Sequence, residues 1–219
     1  MRMAYNQNQP KPQSDLKYSI PLNHHRMKIL AILRSNLSTF AKEFVGIASR
    51  GRVSPENTDI KDENYISGEL TFFLNSVDES GYIFQFQAVG PDILVRHFDS
   101  LMHSPALFLI EAKRLPPTSS NDYVKKGIGR FKKEEHGKQY DIAAMLGYVQ
   151  ENNFNHWFDK VNSWVTALIS DKNENPKWTT GDKIREVRTT DVGEYKSEHS
   201  RITKNPIMLY HFWINLCNN

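Results

Sequence analysis

The sequence predicts a single domain of the α/β or α+β class. The first observation is the order of its segments: a stretch with helical spacing of apolar residues is followed by strand-like segments, more helix and further strands. The second is size, because 219 residues with a hydrophobic content of 39% can bury one substantial core. We expect a flexible arm at residues 1–22 and one domain at residues 23–219, with its core at about 62–150.

Two helices are predicted before the first strand. In residues 23–49 apolar side chains recur at spacings of three and four, as they do on one face of a helix. They are Ile29, Leu30, Leu33, Leu37, Phe40 and Phe44. Residues 62–76 carry a second stripe, and Glu63 projects onto it. Its apolar members are Ile66, Leu70, Phe73, Leu74 and Val77. The polar residues 50–61 predict a linker between the two helices.

Three strands are predicted next, at residues 82–88, 92–98 and 106–115. The first is rich in aromatic residues, and the pair Gly90-Pro91 marks a turn before the second. The third contains four consecutive apolar residues, which is typical of a central strand covered on both faces.

Two further helices are predicted at residues 127–150 and 155–170. The inner side of the longer one is formed by Phe131, Ile142, Met145, Leu146 and Val149. The shorter one carries Trp157, Phe158, Val161, Trp164, Val165 and Leu168, and we interpret its aromatic residues as core or interface. A polar loop at residues 171–182 and strands ending at 207–216 complete the prediction.

Composition excludes several classes of protein. The single cysteine, Cys217, leaves no disulfide framework and no cysteine-rich zinc site. Residues 1–17 are polar and unlike a secretion signal, and no apolar run approaches the ~20 residues that cross a bilayer. We therefore expect a cytoplasmic protein of bacterial type, without a membrane partner. The net charge of +3 neither requires nor excludes a polyanionic partner.

The residues that indicate chemistry lie between Pro91 and Lys113. Glu111 and Lys113 are two apart on the buried strand, so their side chains point to the same face where that strand meets solvent. Asp92 opens the neighbouring strand, from which its carboxylate can reach Glu111. Two carboxylates at this separation form an oxygen site suited to Mg²⁺, which polarises a phosphate and acidifies a bound water. Lys113 could orient that water or neutralise charge on the phosphate.

Asp92, Glu111 and Lys113, together with the Pro91-Asp92 pair, resemble the motif of the PD-(D/E)xK nucleases, the restriction-endonuclease-like enzymes. The resemblance implies a mixed central sheet flanked by helices, with an N-terminal helical extension. It also implies Mg²⁺, or Mn²⁺ in its place, held by Asp92, Glu111 and the carbonyl of Ala112. In that family a glutamate on the preceding helix often completes the site.

Here Glu63 fits that position best, with Glu69 as the substitute. The function implied is Mg²⁺-dependent hydrolysis of DNA phosphodiester bonds, in restriction, defence or repair. The expected partner is DNA, and the chain could also form a homodimer or bind a partner subunit.

Each site residue also has a plain structural interpretation. Glu111 and Lys113 could form a solvated ion pair that contributes about 1 kcal/mol or less. Asp92 could stabilise the turn before it, and Glu63 could interact with the helix dipole.

Basic residues follow the motif and could contact phosphates or simply face solvent. They are Lys125, Lys126, Arg130, Lys132, Lys133 and Lys138. The residues we expect to contact nucleic acid are Arg114, Arg130, Lys138 and Gln139. His136, His199 and His211 match no zinc-ligand spacing, and we expect His211 to be packed and hydrogen-bonded.

Two other functions remain open at this point. The chain could be a nuclease-like fold that binds nucleic acid or a protein without cutting. It could also be an assembly subunit that associates through the aromatic helix at residues 155–170.

Overall fold

The computed structural model describes residues 22–49, 62–98, 105–115, 121–202 and 205–217. In these residues a mixed seven-stranded sheet carries helices on both faces, which confirms the predicted α/β class and the mixed sheet. The predicted linker and all but the last residue of the predicted arm lie outside the described residues. No helix in this part of the chain is long and apolar enough to span a membrane.

The sheet has the strand order β1-β2-β3-β4-β7-β6-β5. Its strands are β1 (Tyr82–Phe86), β2 (Ile93–His97), β3 (Phe108–Leu115), β4 (Ile142–Val149), β5 (Arg185–Thr189), β6 (Val192–His199) and β7 (Ile207–Asn215). The three central strands, β3, β4 and β7, are parallel, and the outer pairs are antiparallel. The predicted strands 82–88, 92–98 and 106–115 are therefore present, each a little shorter than predicted.

One face of the sheet is covered by α1 (Leu22–Ser49) and α2 (Glu63–Val77). All six predicted apolar residues of α1 are buried, because their spacing keeps them on the side that meets the sheet. Asp62 caps α2, since its side chain accepts a hydrogen bond from the backbone N–H of Asn64. In the predicted stripe of α2, Ile66, Leu70 and Leu74 are buried and Phe73 is partly buried, whereas Val77 at its end is exposed.

The other face is covered by a π-helical turn (Tyr123–Ile128), the short α3 (Gly129–Lys132) and α4 (Phe154–Ser170). α4 confirms the helix predicted at residues 155–170. It packs through Trp157, Val161, Val165 and Leu168, while Phe158 and Trp164 are partly buried against the same cluster. The aromatic residues of α4 are therefore mainly core.

The prediction of a helix at residues 127–150 is wrong. The helical segment ends at Lys132, the chain turns through Glu134 and Gly137, and residues 142–149 form β4. Both turn residues have positive φ, and a Cβ at Gly137 would lie 3.1 Å from the ring of Phe131. The apolar residues of 142–149 imitate helical spacing because nearly every side chain in the segment is apolar. A continuous apolar run is what a parallel strand covered on both faces requires.

Candidate active site

The candidate site lies where β2 and β3 part. β2 pairs with β3 only as far as Ile110, whereas β3 continues to Leu115. Beyond that point two carboxylates accept hydrogen bonds from backbone N–H groups of β3. Asp92 Oδ2 accepts from the N–H of Ala112 at 2.7 Å, and Glu63 Oε2 accepts from the N–H of Arg114 at 2.9 Å. The separation of the strands therefore brings the start of β2 and the start of α2 against the same short piece of β3.

Lys113 lies at the centre of these carboxylates. Its Nζ is 2.7 Å from Glu63 Oε1, 3.1 Å from Glu111 Oε1 and 3.5 Å from Asp92 Oδ2. It also donates to the carbonyl oxygen of Ala112. The structure thus brings together all five residues predicted for catalysis and metal binding, around one atom.

Of the two candidate glutamates on α2, only Glu63 reaches the site. Glu63 is half-buried and contacts Lys113, whereas Glu69 is exposed to solvent. Asp62 provides the N-terminal cap, so the carboxylate of Glu63 is directed to Lys113 and to the backbone of Arg114 instead of capping the helix.

Two further residues hold Glu111, which is fully buried. Arg130 donates to Oε1 at 2.9 Å, and Nδ1 of His136 lies 3.0 Å from Oε2. Neither contact could be predicted from the sequence. Arg130 was expected to bind nucleic acid, and His136 reaches Glu111 only because the chain reverses after α3 through Glu134 and Gly137.

Burial and the neighbouring charges together set the pKa values of the site residues. Burial, reinforced by the charge of Glu111, raises the pKa of Asp92 to about 6. Burial would also raise the pKa of Glu111, but the hydrogen bond with His136 and the charge of Lys113 outweigh it, so this pKa is lowered. Burial opposes the charge of Lys113, but the surrounding carboxylates prevail and its pKa is raised. Lys113 and Glu111 are therefore both charged at neutral pH.

The residues predicted to contact nucleic acid are distributed around this centre. Arg114 donates through Nε to Gln150 at 2.8 Å, and Arg130 is bound to Glu111. Lys138 and Gln139 are exposed, on the turn between α3 and β4 and not on a helix as predicted. Lys132, a member of the predicted basic run, is completely buried and cannot contact a phosphate.

Lys132 belongs to a hydrogen-bonded series of buried polar side chains. Its Nζ lies 2.8 Å from Asp182 Oδ1, which is also 2.5 Å from Nδ1 of His199. Nε2 of His199 is 2.6 Å from the hydroxyl of Ser197. The order Ser-His-Asp is that of a hydrolytic triad, but all three side chains are fully buried. Ser197 is therefore inaccessible to a substrate.

The hydrogen-bonded series continues from Ser197 to His211, Tyr123 and Trp213. The position of each proton can be deduced by starting from Trp213. The indole N–H of Trp213 can only donate, so the oxygen of Tyr123 accepts it at 2.9 Å and its own proton goes to His211 Nδ1, 2.8 Å away. His211 then donates from Nε2 to Ser197, 2.7 Å away, which leaves the Ser197 proton for His199. Burial lowers the pKa of both histidines, in agreement with these neutral forms, and the packed and bonded state predicted for His211 is confirmed.

The surroundings of Lys113 Nζ suit a hard cation, since the three carboxylates and the carbonyl that contact it all present oxygen atoms. In the described ranges, however, no group of three or more His, Cys, Asp or Glu side chains has an arrangement ready to hold a metal ion. The ammonium of Lys113 contacts each of the three carboxylates. The predicted Mg²⁺ therefore stays a prediction.

No family model, no curated protein and no solved structure matches this chain.

Proposed function

We propose that this protein is a Mg²⁺-dependent nuclease of the PD-(D/E)xK type that hydrolyses DNA phosphodiester bonds. The observation that supports it is the convergence of three carboxylates and one backbone carbonyl on the Nζ of Lys113. A solvated ion pair needs one acid and one base. The surplus of buried acid around one lysine is costly without a function that uses it.

The ammonium of Lys113 marks a position at which a cation is surrounded by oxygen. Its carboxylate contacts, at 2.7 to 3.5 Å, are those of an ammonium, whereas Mg²⁺ is held at about 2.0–2.1 Å. The two cations cannot share this position. Binding of Mg²⁺ thus requires Lys113 to leave the centre of the cluster.

The residues of the site would have two roles, metal binding and orientation of the attacking water. Asp92, Glu111, Glu63 and the carbonyl of Ala112 would hold Mg²⁺, which supplies polarisation of the phosphodiester and acidification of a water. The displaced ammonium of Lys113 would orient the attacking water or neutralise charge on the phosphate.

Arg130 and His136 would keep Glu111 ionised and fixed in direction. Such second contacts to a ligand are a regular part of metal sites.

Cleavage of supercoiled plasmid in Mg²⁺ tests the proposal with a matched pair of variants. Glu63→Gln and Glu69→Gln make the same change on the same helix, but only Glu63 contacts Lys113. We expect Glu63→Gln to reduce the rate at least about tenfold, which is 1.4 kcal/mol of transition-state stabilisation. Glu69→Gln should cleave as the wild type does, and a chelator should stop both.

The alternative is a nuclease-like fold that binds nucleic acid or a partner protein without cutting. One observation favours it: Lys113 contacts all three acids and Arg130 contacts Glu111, so cationic side chains of the chain itself already pair with the acids. Folded wild-type protein that does not cleave in Mg²⁺ or Mn²⁺ would contradict the nuclease and support this alternative.

A further inference from the structure

α2 begins at the candidate active site, and its first residue contacts β3 with both carboxylate oxygens. Glu63 Oε1 is 2.7 Å from Lys113 Nζ, and Glu63 Oε2 accepts the N–H of Arg114 at 2.9 Å. Hydrogen bonds weaken steeply with a change of length or angle, so these two contacts persist only if the start of α2 keeps its position. The ends of helices fray. The position of Glu63 therefore needs support from further along the helix.

One turn beyond Glu63, the side chain of Ser67 bonds α2 to the sheet. Residues four apart lie on the same face of a helix, so Ser67 and Glu63 are directed to the same side of α2. The hydroxyl of Ser67 is 2.8 Å from the hydroxyl of Tyr148 on β4, and both side chains are completely buried. In the register of β3 and β4, Tyr148 is the partner of Arg114. The two hydroxyls thus join α2 to the sheet at the level of the residue whose N–H is bonded to Glu63.

A second polar contact joins the other end of α2 to the sheet. Asn75 donates to the carbonyl of Phe84 on β1 and accepts the N–H of the same residue, each at 2.8 Å. At 1.5 Å per residue, Asn75 lies about 18 Å along the helix from Glu63, whereas Ser67 lies about 6 Å from it. The contact at Ser67 is therefore the one that can control the orientation of Glu63.

The hydroxyl pair lies among apolar side chains, where a contribution to stability alone explains it poorly. Apolar residues such as Ile66, Leu70 and Leu74 hold α2 against the sheet, but such packing is not directional. A hydrogen bond between two buried hydroxyls adds little net stability, because both groups give up hydrogen bonds to water, and two apolar side chains of the same shape would serve as well. The hydroxyl pair supplies the direction that apolar packing lacks.

We propose that Tyr148 is a positioning residue, which acts through Ser67 to keep Glu63 in contact with β3. The inference rests on the proposed function, which makes Glu63 a metal ligand. The position of Glu63 can nevertheless be measured apart from cleavage, because its contacts with Lys113 and Arg114 are made within the chain itself.

Amide hydrogen exchange of the full chain, measured by NMR in a chelator, reports the position of Glu63. The N–H of Arg114 is bonded to Glu63. The N–H of Ala112, two residues earlier on the same strand, is bonded to Asp92 and is the internal control. The ratio of the two exchange rates therefore separates a shift of α2 from a general loosening of β3.

Two variants remove the hydroxyl pair, each from one side, and a third is the matched control. Tyr148→Phe and Ser67→Ala each delete one hydroxyl. Tyr82→Phe makes the same change in a buried tyrosine that also bonds a helix to the sheet, since its hydroxyl is 2.8 Å from His25 Nδ1 on α1. Tyr82 lies at the end of β1 and β2 that is far from the candidate site.

We expect both hydroxyl variants, Tyr148→Phe and Ser67→Ala, to accelerate exchange at Arg114 several-fold relative to Ala112. Tyr82→Phe should leave the ratio of the two rates unchanged. An unchanged ratio in both hydroxyl variants, or the same acceleration at both amides, would overturn the inference.

Plasmid cleavage in Mg²⁺ tests the catalytic consequence. We expect Tyr148→Phe to lower kcat several-fold with little change in KM, because the hydroxyl acts on a metal ligand and not on the substrate. In the Glu63→Gln background the same substitution should have no further effect, whereas an equal loss in both backgrounds would overturn the route through Glu63. If exchange at Arg114 responds but the wild type does not cleave, the nuclease is overturned and the positioning of Glu63 stands.

Discussion

Lys113 is a buried lysine held by three acids, and this single residue organises the site. An isolated ammonium would lose its proton on burial, but the carboxylates of Glu63, Asp92 and Glu111 raise its pKa instead. Asp92 and Glu111 are affected in return: the pKa of Glu111 is lowered, whereas burial raises the pKa of Asp92. Asp92 therefore carries a cost to stability at neutral pH that an uncharged side chain would not.

Asp92→Asn is expected to stabilise the protein above pH 6. The pKa of Asp92 is about 6 in the folded chain against an ordinary 3.8, so as pH rises the unfolded chain ionises first and the folded state is penalised. The penalty is absent below about pH 3.8 and complete above about pH 6, where the raised pKa corresponds to roughly 3 kcal/mol. Asn can still accept the N–H of Ala112.

Thermal unfolding of the two proteins between pH 4 and pH 8 checks this, with the exposed Asp159→Asn on α4 as control. A variant that is less stable than the wild type at neutral pH would contradict the burial argument.

The residues of the site could be predicted to different degrees. Glu111 and Lys113 share a face because strand side chains alternate, and Asp92 opens the strand next to them, so their meeting was predictable. The helical stripe of α2 favoured Glu63 over Glu69. His136 and the role of Arg130 could not be predicted, since they depend on a reversal of the chain that leaves no regular spacing.

At the scale of the elements, β4 shows the limit of apolar periodicity. Its apolar residues satisfy the spacing of a helix face, yet the segment is a strand buried on both sides. Close packing with β7 supplies a physical reason for the strand. A Cβ on Gly147 would lie 2.3 Å from Trp213 Cδ1, so the two strands need glycine at this position. A contact between segments so far apart in the chain is invisible to a local pattern.

α3 has only four residues, and a buried ion pair helps to hold it. Lys132 at its end is bonded to Asp182, and both side chains are fully buried. Because Arg130 lies on the same short helix, this pair also fixes the residue that orients Glu111.

Asp182→Ala is expected to lower the free energy of unfolding by about 3–5 kcal/mol, because it leaves the ammonium of Lys132 buried without its acid. Asp191→Ala is the matched control, since Asp191 also pairs with a lysine, Lys42, but on the surface, where little change is expected. Urea unfolding gives both values. Similar small losses in the two variants would show that the buried pair does not support α3.

At the scale of the whole molecule, two clusters of apolar side chains sandwich the sheet, and the candidate site lies where the sheet opens between β2 and β3. The class of the fold could be predicted from the order of helices and strands. The strand order could not, because β7, the last strand in the chain, lies between β4 and β6. Such pairings join distant segments through side-chain packing that no local pattern encodes.

The central proposal is that the position of Lys113 Nζ can be taken by a divalent cation. Calorimetric titration of the metal-free protein with Mn²⁺ at neutral pH tests it most directly. We expect one site per chain in the wild type, none in Glu111→Gln, and tighter binding in Lys113→Met, which removes the competing ammonium while keeping the length of the side chain. Absence of binding in both the wild type and Lys113→Met would contradict the claim and leave the cluster as a buried ion-pair network.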